Sequence, residues 1–155
     1  MIDVTKVLTK IIDATCLDKL KYDKSFIEEA VGMSGRDLSN CPDSIVSGYV
    51  FELSKYIVHL QIVLNTYKVK YNDTVTRYEL KKAEVLATLS APSKATVKEK
   101  EQLALSNSAE LKELEEQVRA SKALFTIFEC VPDRYVEISN ALKKELSIRY
   151  SKGVR

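Results

Sequence analysis

The chain has 155 residues, of which 30% are charged and 45% hydrophobic, a balance that suits one folded unit with a core. Its formal net charge of +2 is too small to imply a polyanionic partner by itself. Only 4 glycines and 3 prolines interrupt it, which excludes a turn-rich all-β architecture and points to long elements with few connections, hence an all-α fold.

Two short helices are expected first. Residues 3–20 place Val4, Val7, Leu8, Ile11, Ile12 and Leu17 at helical spacings. Ser25 with Glu28 reads as a capping box that opens a second helix ending near Gly32. The stretch "GMSGRDLSNCPD" reads as a loop, and Pro42 suits a helix start.

From Pro42 to about Leu89 nothing stops a helix, which at this length would run roughly 70 Å. Its apolar residues recur at spacings of four and three: Val46, Val50, Leu53, Ile57, Leu60, Leu64, Tyr67 and Tyr71. Off-seam positions in the first half are also apolar (Tyr49, Tyr56, Val58, Ile62, Val63), so that half is expected to be buried on more than one face. After Tyr71 the seam decays. Thr76 with Glu79 offers a fresh cap, so a break or kink at residues 72–76 is an open alternative.

"SAPSKAT" is the next interruption, and Thr96 with Glu99 is a further capping box. One helix is then expected to reach about Val131, with Leu111, Leu114, Val118, Ser121, Phe125 and Phe128 on its seam. Pro132 kinks or ends it. A last helix from about Asp133 to Ser151 carries Tyr135, Ile138, Leu142 and Leu146 on its apolar side and basic residues on its polar side. The architecture expected is a long antiparallel helical hairpin with short N-terminal helices and a C-terminal oligomerising helix. The N-terminal segment would be 1–41 and the hairpin with its last helix 42–155.

Charge is distributed unevenly. Residues 66–100 hold eight basic and four acidic side chains, and residues 101–118 hold one basic and five acidic. Residues 143–155 hold five basic and one acidic. Such segregation steers a polyanion or pairs subunits. The three cysteines, Cys16, Cys41 and Cys130, have no framework spacing and read as free thiols, Cys130 packed beside Phe128. That reading, with no signal-peptide pattern at the N-terminus, leads us to expect a cytoplasmic protein. The most apolar window contains Glu52, Lys55, His59 and Gln61, which excludes an ordinary membrane span.

Little suggests catalysis. His59 is the one histidine, and no second ligand lies at metal spacing, so it reads as a packed or interface residue. There is no glycine-rich phosphate loop and no nucleophile beside a base, so neither an enzyme nor a cofactor is expected. The acidic run Ala109–Glu116 reads as a solvated face.

Binding is the better supported class. Tyr67, Tyr71 and Tyr78 fall at i, i+4 and i+11, one helical stripe. Tyr67 and Tyr71 occupy seam positions and belong inside, whereas Tyr78 lies beyond the seam with Lys81 and Lys82 one turn away. The candidate nucleic-acid-binding set is therefore Tyr78, Lys81, Lys82, Lys94, Lys98 and Lys100, a ring for a base among charges for phosphates. The apolar faces of the long helix call for a partner copy. The expected homo-oligomer interface is Tyr49, Leu53, Tyr56, Leu60, Val63, Leu142 and Leu146.

The order of features from Pro42 to Tyr150 resembles the UvsY-type recombination mediators of tailed phages. In that family a long helix ends in a short Lys-Ala-Arg-Leu motif. A turn, a second helix and a C-terminal oligomerising helix follow. "LKKAEVLATLSAPSKATVKEKEQLALSNSAELKELEEQV" is similar to the junction, and "SKALFTIFECVPDRYVEISNALKKEL" to the segment leading into the last helix. The motif falls on Leu86-Ala87-Thr88-Leu89, where both basic positions are replaced, leaving nearby Lys81, Lys82 and Lys94 to carry phosphate contact. The resemblance implies a phage accessory protein, acting in an infected bacterial cell, that binds single-stranded DNA without sequence preference. It would help load a RecA-like recombinase onto strands coated by a single-strand binding protein. The alternative from another class is a helical assembly or adaptor protein without nucleic-acid binding, such as a phage structural or host-defence-blocking factor.

Overall fold

The structure, a computed structural model, describes residues 20–33, 35–89 and 95–153 together with 6, 9 and 10, with only the backbone at 35–37. The helix expected over residues 3–20, Cys16 and most of "SAPSKAT" lie outside the described residues. Six helices follow in chain order among the described residues: α1 (Lys24–Gly32), α2 (Gly35–Asn40), α3 (Asp43–Thr88), α4 (Val97–Asn107), α5 (Ala109–Glu129) and α6 (Val131–Gly153). No strand occurs among the described residues, so the all-α expectation holds.

Local chemistry explains most boundaries. α1 is capped by Asp23, whose carboxylate accepts from the Ser25 and Phe26 amides. The Ser25–Glu28 box is therefore corrected: the Ser25 hydroxyl donates to Asp23, and Glu28 pairs instead with Lys24. An aspartate is the stronger cap because its charge also suits the positive end of the helix. Pro42 has no amide to lose, and its carbonyl accepts from Val46 at the start of α3.

α3 runs without interruption through residues 72–76, so the alternative break there is not taken. Thr74 and Thr76 bond back to the carbonyls of Lys70 and Asn72 (2.8 and 3.0 Å), which occupies the hydroxyl that would have capped a new helix. The Thr96–Glu99 capping box opens α4 as expected. The single helix expected from there to Val131 is corrected. Ser108 ends α4 and starts α5, with its hydroxyl accepting from the Leu111 amide at 3.2 Å. The triplet Ser106-Asn107-Ser108 sits inside a helical pattern, but these residue types prefer caps.

The chain falls into two compact units, one of Met1–Val7 and Asn65–Ile127 and the other of Leu8–Leu64 and Phe128–Arg155. In the first unit, the later part of α3 runs antiparallel to α5. Tyr71 lies over Phe125 with centroids 6.1 Å apart and planes 3° from parallel, and Lys81 meets Glu110 at 2.9 Å. Ala104, Leu111 and Leu114 are buried there.

In the second unit, Ile27 and Ala30 of α1, Val46, Tyr49 and Leu53 of α3, and Leu142 of α6 form one core. Gly48 is required by it. A Cβ there would lie 2.9 Å from the Phe26 ring, so only glycine lets α1 approach α3 so closely. Tyr49 is buried and its hydroxyl donates to Glu29 at 3.0 Å. Burial first, and that carboxylate second, push the phenol up to about 12.

Arg149 of α6 closes this unit. Its guanidinium donates to the carbonyls of Leu38 and Cys41, to the Asp43 carboxylate at 2.8 Å and to Glu145 at 3.0 Å. It thereby caps the C-terminal end of α2 and grips the first residue of α3. The expectation of an unstructured loop over residues 32–43 is corrected by this contact. α2 is too short to be stable alone, and its terminal carbonyls are satisfied by a residue more than a hundred positions away.

Two outcomes are expected. Arg149→Ala lowers the thermal midpoint by several degrees. Arg149→Lys recovers less than half of that loss, because an ammonium cannot serve the same fan of acceptors. Lys144→Ala, on the exposed side of the same helix, leaves it unchanged. Tyr49 carries the second outcome. Its folded pKa lies above its ordinary value, so its contribution is complete below about pH 10 and is lost as pH rises through about 12. Tyr49→Phe should flatten the fall of stability over that alkaline interval, measured by urea unfolding.

Candidate functional site

The residues singled out for nucleic acid fall into different surroundings. Lys81 and Lys82 end α3 in the first unit, but neither presents a free charge. Lys81 is held between Glu110 at 2.9 Å and Glu84 at 3.1 Å, and Lys82 pairs with Glu101 at 2.8 Å. Their side chains keep only 23% and 19% of their accessible surface. Hydrogen bonds to Glu110, then Glu84, push the Lys81 ammonium up, and the bond to Glu101 does so for Lys82. Both stay protonated, which suits a brace between helices and is the reverse of what a nucleophilic lysine needs.

Tyr78 is half-buried with Lys82 Nζ 5.8 Å from its ring centre, a cation–π approach that occupies one side of the ring. Burial raises its phenol, the nearby Lys82 charge opposing this. Lys98 is exposed and Lys100 half-buried in the first turn of α4, beside the Glu99 carboxylate that caps it. Lys94 lies outside the described residues. A cleft of about 460 Å³ opens at the end of α3 against the α4–α5 turn, lined by Lys81, Val85, Thr88, Asn107, Ser108 and Glu110. Its one cation and one carboxylate are already partners, so it carries no net attraction for phosphate.

The oligomer-interface residues are placed inside the chain. Tyr49, Leu53, Leu60 and Leu142 are buried, and Tyr56, Val63 and Leu146 are half-buried. Tyr56 and Leu146 pack against the core that α1, α3 and α6 share. The apolar face that called for a second copy is covered by the chain's own α1 and α6. The exposed large apolar residues lie elsewhere, Phe51 (64%) and Val58 on α3 and Leu124 and Ile127 (69%) on α5 among them.

No family model, curated protein or solved structure matches this chain. The geometry therefore stands without a relative to interpret it.

Cys41 and Cys130 are free thiols as expected, but Cys130 is exposed in the turn between α5 and α6 instead of packed beside Phe128. His59 is half-buried against the Tyr22 and Tyr56 rings at 5.3 and 6.1 Å. No group of three metal-ligating side chains occurs among the described residues. No helix among them is long and apolar enough to cross a membrane.

The sequence reading noted the basic polar side of α6 and kept Lys143, Lys144, Arg149 and Lys152 as the next place to look, but placed no site residue there. Lys143, Lys144, Ser147, Tyr150 and Lys152 are all exposed, Tyr150 at 61%. Lys143 and Tyr150 are seven residues apart and so share a face two turns up the helix. Among the described residues no carboxylate pairs with Lys143, Lys144 or Lys152, while Glu145 turns inward to Arg149. The available signal was the basic balance of residues 143–155, read together with the position of Tyr150 away from the Ile138–Leu142 seam.

The bracing role of Lys82 has a direct test. Lys82→Glu should lower stability and Glu101→Lys should do the same, while the exchanged double variant recovers part of the loss. The coupling expected in a double-mutant cycle is about 0.2–1 kcal/mol, as for other partly solvated pairs.

Proposed function

We propose that the protein is an accessory factor that binds single-stranded nucleic acid through the outer face of α6. The observation that supports this reading is an exposed aromatic ring, Tyr150, with Lys143 two turns before it on the same side of α6, and Lys144 and Lys152 exposed elsewhere on that helix, none of the three lysines paired with a carboxylate among the described residues. Cations meet phosphates and an exposed ring offers a stacking face to any base, so the expected binding is indifferent to sequence. The resemblance to UvsY-type mediators gives this activity its place. The protein would help a RecA-like recombinase onto strands covered by a single-strand binding protein, in a phage-infected cell. Self-association belongs to the same reading, with exposed Phe51, Val58, Leu124 and Ile127 as the apolar side chains available for it.

A second reading is an assembly or adaptor protein with no nucleic-acid role. Exposed large apolar side chains such as Phe51 and Ile127 would serve it as contact surface.

Titration of a fluorescent single-stranded oligonucleotide over a salt series separates the two. The first reading expects affinity that falls steeply with salt. Lys143→Glu with Lys144→Glu should weaken binding to all sequences alike and flatten the slope of log affinity against log salt by roughly 0.7 per contact. Tyr150→Ala should weaken it by about 1–3 kcal/mol. Lys81→Glu, by contrast, should leave the slope nearly unchanged. Absence of binding at low salt would decide for the adaptor reading, and mass measurement with and without oligonucleotide would report self-association.

A further inference from the structure

A small aromatic enclosure lies on the second unit, built from none of the residues assigned above to nucleic acid. Tyr22, just before α1, Tyr56 on α3 and Tyr135 on α6 converge there. The Tyr22 and Tyr56 centroids are 4.8 Å apart at 61°, and those of Tyr56 and Tyr135 are 4.9 Å apart at 80°. The three rings, with Ile27, Lys24 and Glu28, line a cavity of about 160 Å³. We propose that this cavity is an aromatic cage for a compact, weakly hydrated organic cation, an alkylated ammonium head.

The geometry favours this chemistry over its competitors. Rings set nearly edge-to-face do not form the parallel slot that a flat base or ring would enter. They instead border one space, where a cation over an open part of a ring face is attracted by that ring's quadrupole. Burial, with Tyr135 alongside, raises the Tyr56 phenol, so the ring remains neutral and its hydroxyl brings no charge of its own. The volume lies below the roughly 300–1,000 Å³ of sites that take whole drug-sized ligands, so it fits a head group and not a nucleotide.

Charge at the mouth agrees. Glu28 lies at the rim, its carboxylate paired with Lys24 at 3.4 Å, and the two side chains are 67% and 82% exposed. A pair so solvated contributes little and is readily exchanged. An incoming cation can take over Glu28 while Lys24 turns to water. An anion would meet that carboxylate and the negative ring faces. An ordinary lysine is held back by its strong hydration, whereas a trimethylated one sheds water easily.

The head group can arrive free, as in choline, or on a trimethyllysine side chain, and the test separates these sources. Choline, its neutral isostere 3,3-dimethylbutan-1-ol, a trimethyllysine peptide and the same peptide unmodified are titrated into the full chain. Binding is followed by the tyrosine ring resonances. Choline or the trimethyllysine peptide should shift the Tyr22, Tyr56 and Tyr135 rings at concentrations at least tenfold below those needed for the neutral isostere. The unmodified peptide should be at least tenfold weaker than the trimethylated one. Tighter binding of the trimethylated peptide than of choline supports the cage with a side-chain ligand, and equal binding supports it with a free head group. Glu28→Gln should weaken the cation several-fold without changing the helical signal, and Tyr22→Leu should remove most of the cation's advantage over the isostere. Equal binding of cation and isostere, or no shift of the three rings, overturns the proposal. That comparison needs no variant and does not depend on nucleic-acid binding.

Discussion

The guanidinium of Arg149 is the constraint on which the second unit depends. It comes from near the end of the chain and spends its donors on groups 106 to 111 residues earlier. Two of its acceptors are the Leu38 carbonyl in the last turn of the six-residue helix, which also accepts from the Cys41 amide, and the Cys41 carbonyl just beyond that helix. A third is the carboxylate at the start of α3, and the fourth, Glu145, holds the arginine from its own helix. Carbonyls and carboxylates from three elements converge on one planar fork, which a point charge cannot reproduce. Because the residues it grips immediately precede and begin α3, the contact fixes where that helix starts. It thereby helps set which faces Val46, Tyr49 and Leu53 turn to the shared core.

Electrostatics in the first unit has the same inward character. The basic stretch 66–100 and the acidic stretch 101–118 stand out in sequence as if each awaited a partner. In the fold they partner each other, through Lys81 with Glu110 and Lys82 with Glu101. Screening by salt acts weakly on pairs with so little exposure on the lysine side. Charge segregated along a chain is thus ambiguous until the turn between segments is known, because an antiparallel return converts a patch into a zipper. In the basic C-terminal stretch the described cations other than Arg149 remain on the surface.

Legibility in the sequence followed the range of the interactions involved. Features set by neighbours three or four positions apart could be read: the uninterrupted α3, the Thr96–Glu99 cap and the α5 seam through Leu111 and Leu114. Where two local solutions compete, reading chose wrongly. Asp23 outcompeted Ser25 as a cap, and Ser108 divided a pattern that periodicity alone continues. Features made by distant residues could be read only in part: burial of Tyr49 and Leu53 was expected, but not what covers them. α2 exists through Arg149, and the burial of Tyr49 and Leu53 needs α1 and α6 to arrive on faces whose partner periodicity cannot specify. The candidate lysines belong to this last class, since burial and pairing decide whether a cation is a brace or a ligand site.

Tyrosine shows how finely context divides one residue type. A phenol combines a broad apolar ring with a polar tip, so it can serve a core, a rim or a surface. Tyr49 serves the core, its tip satisfied by Glu29, and Tyr71 lies flat on Phe125. Tyr78 is half-covered and already faced by a cation, so a base approaching it would have to displace Lys82 and release Glu101 with it. Tyr22, Tyr56 and Tyr135 meet edge to face and together line a cavity. Tyr150 combines high exposure with an exposed lysine, Lys143, on its own helix face. Stacking on a base requires a ring with a face open to solvent before binding, because the energy gained is that of removing both surfaces from water. By that criterion Tyr150 is a ring left free to stack, whereas Tyr71 and Tyr78 of the stripe in the long helix are engaged within the fold.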